Sequence, residues 1–86
     1  MLDGLQELEL DLHGLTVEVA RRVLTEFLND CARMRIRCAR IIHGKGTGAV
    51  RERVHALLKG DRRIARYGLA PANQGGSGAT VVEFRS

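Results

Sequence analysis

Residues 7–13 read Glu-Leu-Glu-Leu-Asp-Leu-His, a strict alternation that sets Leu8, Leu10 and Leu12 on one face and Glu9, Asp11 and His13 on the other. A period of two is the mark of a half-buried strand. After the turn at Gly14-Leu15 the period becomes helical. Thr16 is a suitable N-cap, Glu18 suits the positive end of a helix, and the pattern runs from Val17 to about Arg35. Ala20, Val23, Leu24, Phe27, Leu28 and Cys31 form one stripe, with Arg21, Arg22, Thr25, Glu26, Asn29 and Arg33 opposite.

Ile36–Ile42 predicts a second strand and Ala49–Lys59 a second helix, its stripe made of Val50, Val54, Leu57 and Leu58. Gly60 is a natural helix stop. Ile64–Tyr67 predicts a short third strand and Ala79–Phe84 a fourth, joined by a loop from Leu69 to Gly78. His55 falls on the polar side of the second helix and reads as solvated.

The order βαβαββ implies an α/β (α+β two-layer) sandwich. Right-handed crossovers place both helices on one face of a four-stranded mixed sheet. The last strand is expected to return antiparallel between the second and third, giving the order 1-2-4-3. The other sheet face stays open. We expect a lead over residues 1–6 and one domain over residues 7–86.

Composition narrows this picture. Eighty-six residues suffice for one domain. Aromatics are 3%, so Leu, Val, Ile and Ala must build the core. Cys31 and Cys38 form no CxxC pair and read as small core residues. No signal-peptide pattern and no run of about 18 apolar residues is visible, so a cytoplasmic location without a membrane partner is expected. The net charge of +4 favours polyanionic partners such as DNA, RNA or a ribosomal surface.

The predicted topology gathers three motifs at the carboxyl edge of the sheet, where ligand sites of open α/β sheets lie. Gly44, Gly46 and Gly48 lead into a helix, whose unpaired N–H groups and dipole can cradle a phosphate. Lys45 adds a mobile charge, and Arg51 offers a bidentate contact. The spacing is neither a Walker A loop nor a dinucleotide fingerprint, which makes ATPase and dehydrogenase readings poor. The plain alternative is a tight connection.

Asp11 and His13 share the exposed strand face, where a carboxylate can fix the imidazole tautomer. His43 is expected at the neighbouring strand end. Two histidines beside a phosphate cradle fit general acid–base cleavage of a phosphodiester, with Lys45 and Arg51 stabilising the added charge. The alternative is that Asp11 caps a turn and His13 packs on Leu15. The glycines of the last loop, among them Gly76 and Gly78, could admit a strand of nucleic acid to the same edge. Tyr67 is the one aromatic that reads as free to stack.

Leu10-Asp11-Leu12-His13-Gly14, His43-Gly44-Lys45-Gly46-Thr47-Gly48 and Gly75-Gly76-Ser77-Gly78-Ala79-Thr80-Val81-Val82 together resemble the hallmarks of the Smr (small MutS-related) domain family. The resemblance spans Glu7 to Arg85. It implies a fold similar to the C-terminal domain of translation initiation factor three, and nucleic-acid binding, often with endonuclease activity on DNA or RNA and with little sequence preference. Its functional positions fall on Asp11, His13, His43, Gly44, Lys45 and Gly46. The alternative function is a non-catalytic docking module of a larger MutS-like or ribosome-associated protein. No cofactor is required by this reading, although Asp11 and the histidines leave room for a loosely held divalent metal.

Overall fold

The computed structural model describes residues 7–85. The expected lead, residues 1–6, lies outside the described residues. Strand β1 (Glu7–Asp11) leads to helix α1 (Val17–Met34), strand β2 (Cys38–Ile42), helix α2 (Ala49–Lys59), strand β3 (Ile64–Leu69) and strand β4 (Ala79–Phe84). The sheet order is β1-β2-β4-β3. β1 and β2 are parallel, and β4 runs antiparallel to both β2 and β3.

The helix stripe and the alternating strand positions meet in one core. Leu12, Leu24, Ile41, Val54 and Leu58 are all but completely buried. Each such aliphatic side chain contributes roughly 1.5–3 kcal/mol relative to full exposure. In β4 the inward positions are Thr80, Val82 and Phe84. The open face carries Glu9, Arg40, Glu83 and Arg66, joined as Arg40–Glu9 and Arg66–Glu83 ion pairs.

Several boundaries differ from the sequence pattern for identifiable reasons. α1 stops at Met34 because Arg35 turns left-handed at φ 59. The Arg35 N–H bonds to the Ala32 carbonyl and the Ile36 N–H to the Cys31 carbonyl, a Schellman closure. Buried Ile36 and Cys31 seal it. Ile36 therefore belongs to the helix stop, and β2 begins two residues later. Cys38 is only half-buried, on the open side of β2, whereas Cys31 lies in the core. β1 ends at Asp11, although the Leu12 N–H still bonds to the Ile42 carbonyl at 2.6 Å. β3 extends to Leu69 along its partner β4. The loop before β4 folds into two short 3₁₀ turns, Ala72–Gln74 and Gly76–Gly78.

Among the described residues, no helix is long and apolar enough to cross a membrane.

Candidate active site at the carboxyl edge of the sheet

Asp11 closes β1 with its side chain on the exposed face. Its Oδ1 accepts from the His13 backbone N–H at 3.0 Å and lies 2.7 Å from His13 Nδ1. A carboxylate can only accept, so Nδ1 carries a proton, and in the neutral ring Nε2 is the nitrogen that keeps its lone pair. The carboxylate thus caps a turn and orients an imidazole at once. The His13 side chain is 69% exposed. The imidazole and backbone bonds from His13 hold the Asp11 carboxyl below its ordinary range.

The glycine loop packs directly against this pair. Gly44 has φ +85, and a Cβ there would stand 3.4 Å from His13 Cβ. The Gly78 carbonyl accepts from both the His43 and Gly44 N–H groups, at 3.0 and 2.9 Å. A Cβ on Gly78 would lie 3.1 Å from Lys45 Cγ, so the lysine stem runs across this glycine. Gly48, at φ +91, begins α2 without a side-chain cap. Thr47 Oγ1 accepts from the Ala49 N–H at 3.3 Å. The Arg51 guanidinium folds back over Gly48, with Nη2 3.0 Å from where its Cβ would stand.

Residues 13–15 and 43–51 line a cleft of about 330 Å³. The structure therefore brings His13, His43, Gly44, Lys45, Gly46, Gly48 and Arg51 together. Asp11 stands behind His13, and Gly78 buttresses the loop from below. Gly76 does not line the cleft.

His43 stands at the end of the neighbouring strand as expected, but its ring is not free for the acid–base role read for it. It is only 5% exposed, and both ring nitrogens are occupied. Nδ1 lies 3.1 Å from its neighbour's carbonyl, Gly44 O, and Nε2 lies 2.8 Å from Thr80 Oγ1. The reason is parity. His43 follows β2 on the same side as Ala39 and Ile41, which face the core.

The same hydroxyl lies 2.7 Å from His55 Nε2. His55 is thus not solvated as its helix position suggested. Its ring packs edge-on to His43, with centroids 6.0 Å apart, and at a tilt against Tyr67 at 5.3 Å. Tyr67 is accordingly a partner of His55 and only partly free.

With both imidazoles neutral, the proton order is fixed. The Gly44 carbonyl must accept, so His43 donates from Nδ1 and accepts at Nε2 from Thr80. The Thr80 oxygen then accepts from His55 Nε2–H. Burial, reinforced by the Arg51 charge, pushes the His43 pKa down. His55 is lowered by burial and by the charges of His43 and Arg51. Sequence analysis missed Thr80 and His55. A signal existed: Thr80 shares parity with Val82 and Phe84, so a hydroxyl in that strand had to find a buried partner.

Among the described residues no group of three or more His, Cys, Asp or Glu side chains is gathered to hold a metal ion.

The chain matches the Smr domain over residues 10–85 and belongs to that family. It is 46% identical over 76 residues to Endonuclease MutS2 of Leuconostoc mesenteroides, covering 88% of this chain and 10% of that protein. Endonuclease MutS2 of Symbiobacterium thermophilum is 46% identical over 77 residues, again 10% of its length. The chain thus spans about a tenth of the curated relatives it matches. The crystal structure of the Smr domain of Thermus thermophilus MutS2 superposes with a TM-score of 0.87 and 38% identity, covering 91% of this chain and 98% of that one. YdaL, a stand-alone small MutS-related protein from Escherichia coli, gives 0.86 and 31% identity, covering 91% and 64%.

Proposed function

We propose that this Smr domain binds nucleic acid and cleaves its phosphodiester backbone at the carboxyl-edge cleft. One observation carries the reading: the solvent-facing His13, held in one tautomer by Asp11, abuts the glycine loop that opens α2. His13 Nε2 takes the proton from the attacking oxygen, a water on DNA or RNA or a 2′-hydroxyl on RNA. Phosphorus gains the new P–O bond and loses the bond to the leaving oxygen, which takes a proton from solvent at this open edge. Lys45, Arg51 and the first-turn N–H groups of α2 hold the phosphoryl charge that grows in the transition state. His43 acts as a positioning residue. Its ring ties the Gly44 carbonyl to Thr80, and so fixes the loop beside His13.

The contacts on offer are to backbone phosphates, which fits cleavage with little sequence preference. The endonuclease names of the MutS2 relatives support the same chemistry. A second reading, a docking module that binds without cutting, is favoured by the occupation of both His43 nitrogens, which leaves one imidazole exposed in the cleft.

The two are separated by incubating the protein with supercoiled plasmid and with matched single-stranded RNA and DNA. Cleavage by the wild type and its loss in His13→Ala, with binding retained, supports the nuclease. Equal inertness of both proteins, with binding intact, supports docking.

A further inference from the structure

Most of the arginines that line a concave surface lie away from the cleft, which holds Lys45 and Arg51. A groove of about 1210 Å³ lies at the opposite end of the sheet, framed by the end of α1, the start of β2, the start of β3 and the end of β4. Six arginines line it: Arg35, Arg37, Arg62, Arg63, Arg66 and Arg85. Glu83 is the single carboxylate in the lining. The groove thus holds an excess of five positive charges, more than the whole chain's +4.

Internal structure accounts for only part of this cluster. Arg63 is tied to Asp61 and Asn29, Arg66 to Glu83, and Arg85 Nε donates to the Arg62 carbonyl. Among the described residues the guanidiniums of Arg35, Arg37 and Arg62 make no hydrogen bond or ion pair. Like charges gathered in a groove repel one another, and its walls focus their field outward onto anions. Planar guanidiniums match phosphate oxygens two at a time.

We propose that this arginine groove is a second nucleic-acid backbone site, distinct from the cleft and anchoring the same molecule. The proposal rests on the nucleic-acid substrate argued above and extends its path. Cys38 and Ile42 mark the two ends of β2, so groove and cleft are separated by roughly 13 Å along the strand, four steps of about 3.3 Å. At about 3.4 Å per nucleotide step of a B-form strand, that is about four nucleotides. The open sheet face between them has its Glu9 and Glu83 carboxylates already paired with Arg40 and Arg66. A backbone crossing it meets two carboxylates without a cation among the described residues, Glu7 and Asp11, both on the edge strand β1, the second bonded to the His13 imidazole. The arginines hold the polymer, and the His13 cleft performs the chemistry.

The test compares two double variants that remove the same charge. Arg37→Gln with Arg62→Gln empties part of the groove. Arg21→Gln with Arg22→Gln removes two charges from the outer face of α1. Binding of fluorescein-labelled oligo(dT), and of the same strand in duplex form, is followed by anisotropy across a salt series. Thermal unfolding verifies that each variant folds. The groove pair is expected to weaken binding at least tenfold and to reduce the salt slope by about 1.4–1.8, two phosphate contacts at about 0.7–0.9 each. The helix pair is expected to change affinity less than threefold. Equal losses in both pairs, or no loss in the groove pair, overturn the groove. If cleavage and its dependence on His13 survive while the groove pair binds normally, the groove alone fails. If the groove pair loses binding while His13→Ala still cuts, the cleavage reading alone fails.

Discussion

The Thr80 hydroxyl lies 2.8 Å from His43 Nε2, and together with the Gly44 carbonyl at Nδ1 it sets the proton order of two adjoining imidazoles, one buried and one partly buried. Thr80 is in β4 and His43 just beyond β2, so the antiparallel pairing of those strands brings them together. With His55 bonded to the same oxygen, one side chain of the sheet couples the glycine loop to α2.

Replacing Thr80 with valine keeps the shape and deletes the hydroxyl. Both Nε2 atoms then lose their partner in a largely dry setting. We expect a loss of roughly 1–3 kcal/mol in urea denaturation, the usual consequence of stranding buried polar groups. A change below about 0.5 kcal/mol would show that the hydroxyl bridge holds nothing in place.

The two imidazoles also set a pH dependence. Both have pKa values lowered below 6.5 in the folded protein. Above pH 6.5 the folded and unfolded chains are both neutral at these rings, and stability is full. As pH falls below 6.5 the unfolded chain takes up protons that the folded chain refuses, so stability declines until the lowered folded values are reached. The thermal midpoint should therefore fall between pH 7.5 and pH 5. His55→Gln should flatten that slope. A midpoint constant over this range in the wild type would contradict the lowered pKa values of the two rings.

Two glycines should separate folding from function. Gly75 has φ +114, and a Cβ there would stand 2.8 Å from Ala79 Cβ. Gly75→Ala should destabilise by more than about 1 kcal/mol, because alanine resists the backbone angle and meets the side chain of Ala79. Gly46 lines the cleft, and no heavy atom stands within 4 Å of a Cβ placed on it. Gly46→Ala should change stability by less than about 0.5 kcal/mol while weakening backbone binding. Parallel unfolding and anisotropy curves check both, and a Gly46→Ala variant with unaltered binding would count against close approach of a phosphate to the loop.

Much of this was legible in the sequence because local and global signals agree. The alternation at residues 7–13, the Thr16 cap, which accepts from the Val19 N–H at 3.2 Å, and the Gly60 stop place the elements. The apolar content of the last strand places β4 between β2 and β3. The Asp11–His13 pair was legible too, since two residues two apart on a strand must share a face. What was hidden depends on contacts distant in sequence. His55 is read as solvated from its helix alone, and only the neighbouring β4 supplies Thr80 to draw it inward. His43 was read from its motif, whereas its side follows from β2 parity. The concentration of charge in the groove joins the end of α1 to Arg62 and Arg85, residues with no pattern among themselves.

The central claim is that His13 supplies the base for phosphodiester cleavage, and chemical rescue tests it most directly. Single-turnover cleavage of labelled single-stranded RNA and nicking of supercoiled plasmid are measured for the wild type and for His13→Ala, with and without added imidazole. Loss of a general base typically costs about 10²–10⁴-fold in rate. We predict a loss in that range on at least one substrate, partly restored by imidazole in the variant and unaffected by it in the wild type. Cleavage by His13→Ala at the wild-type rate would contradict the account.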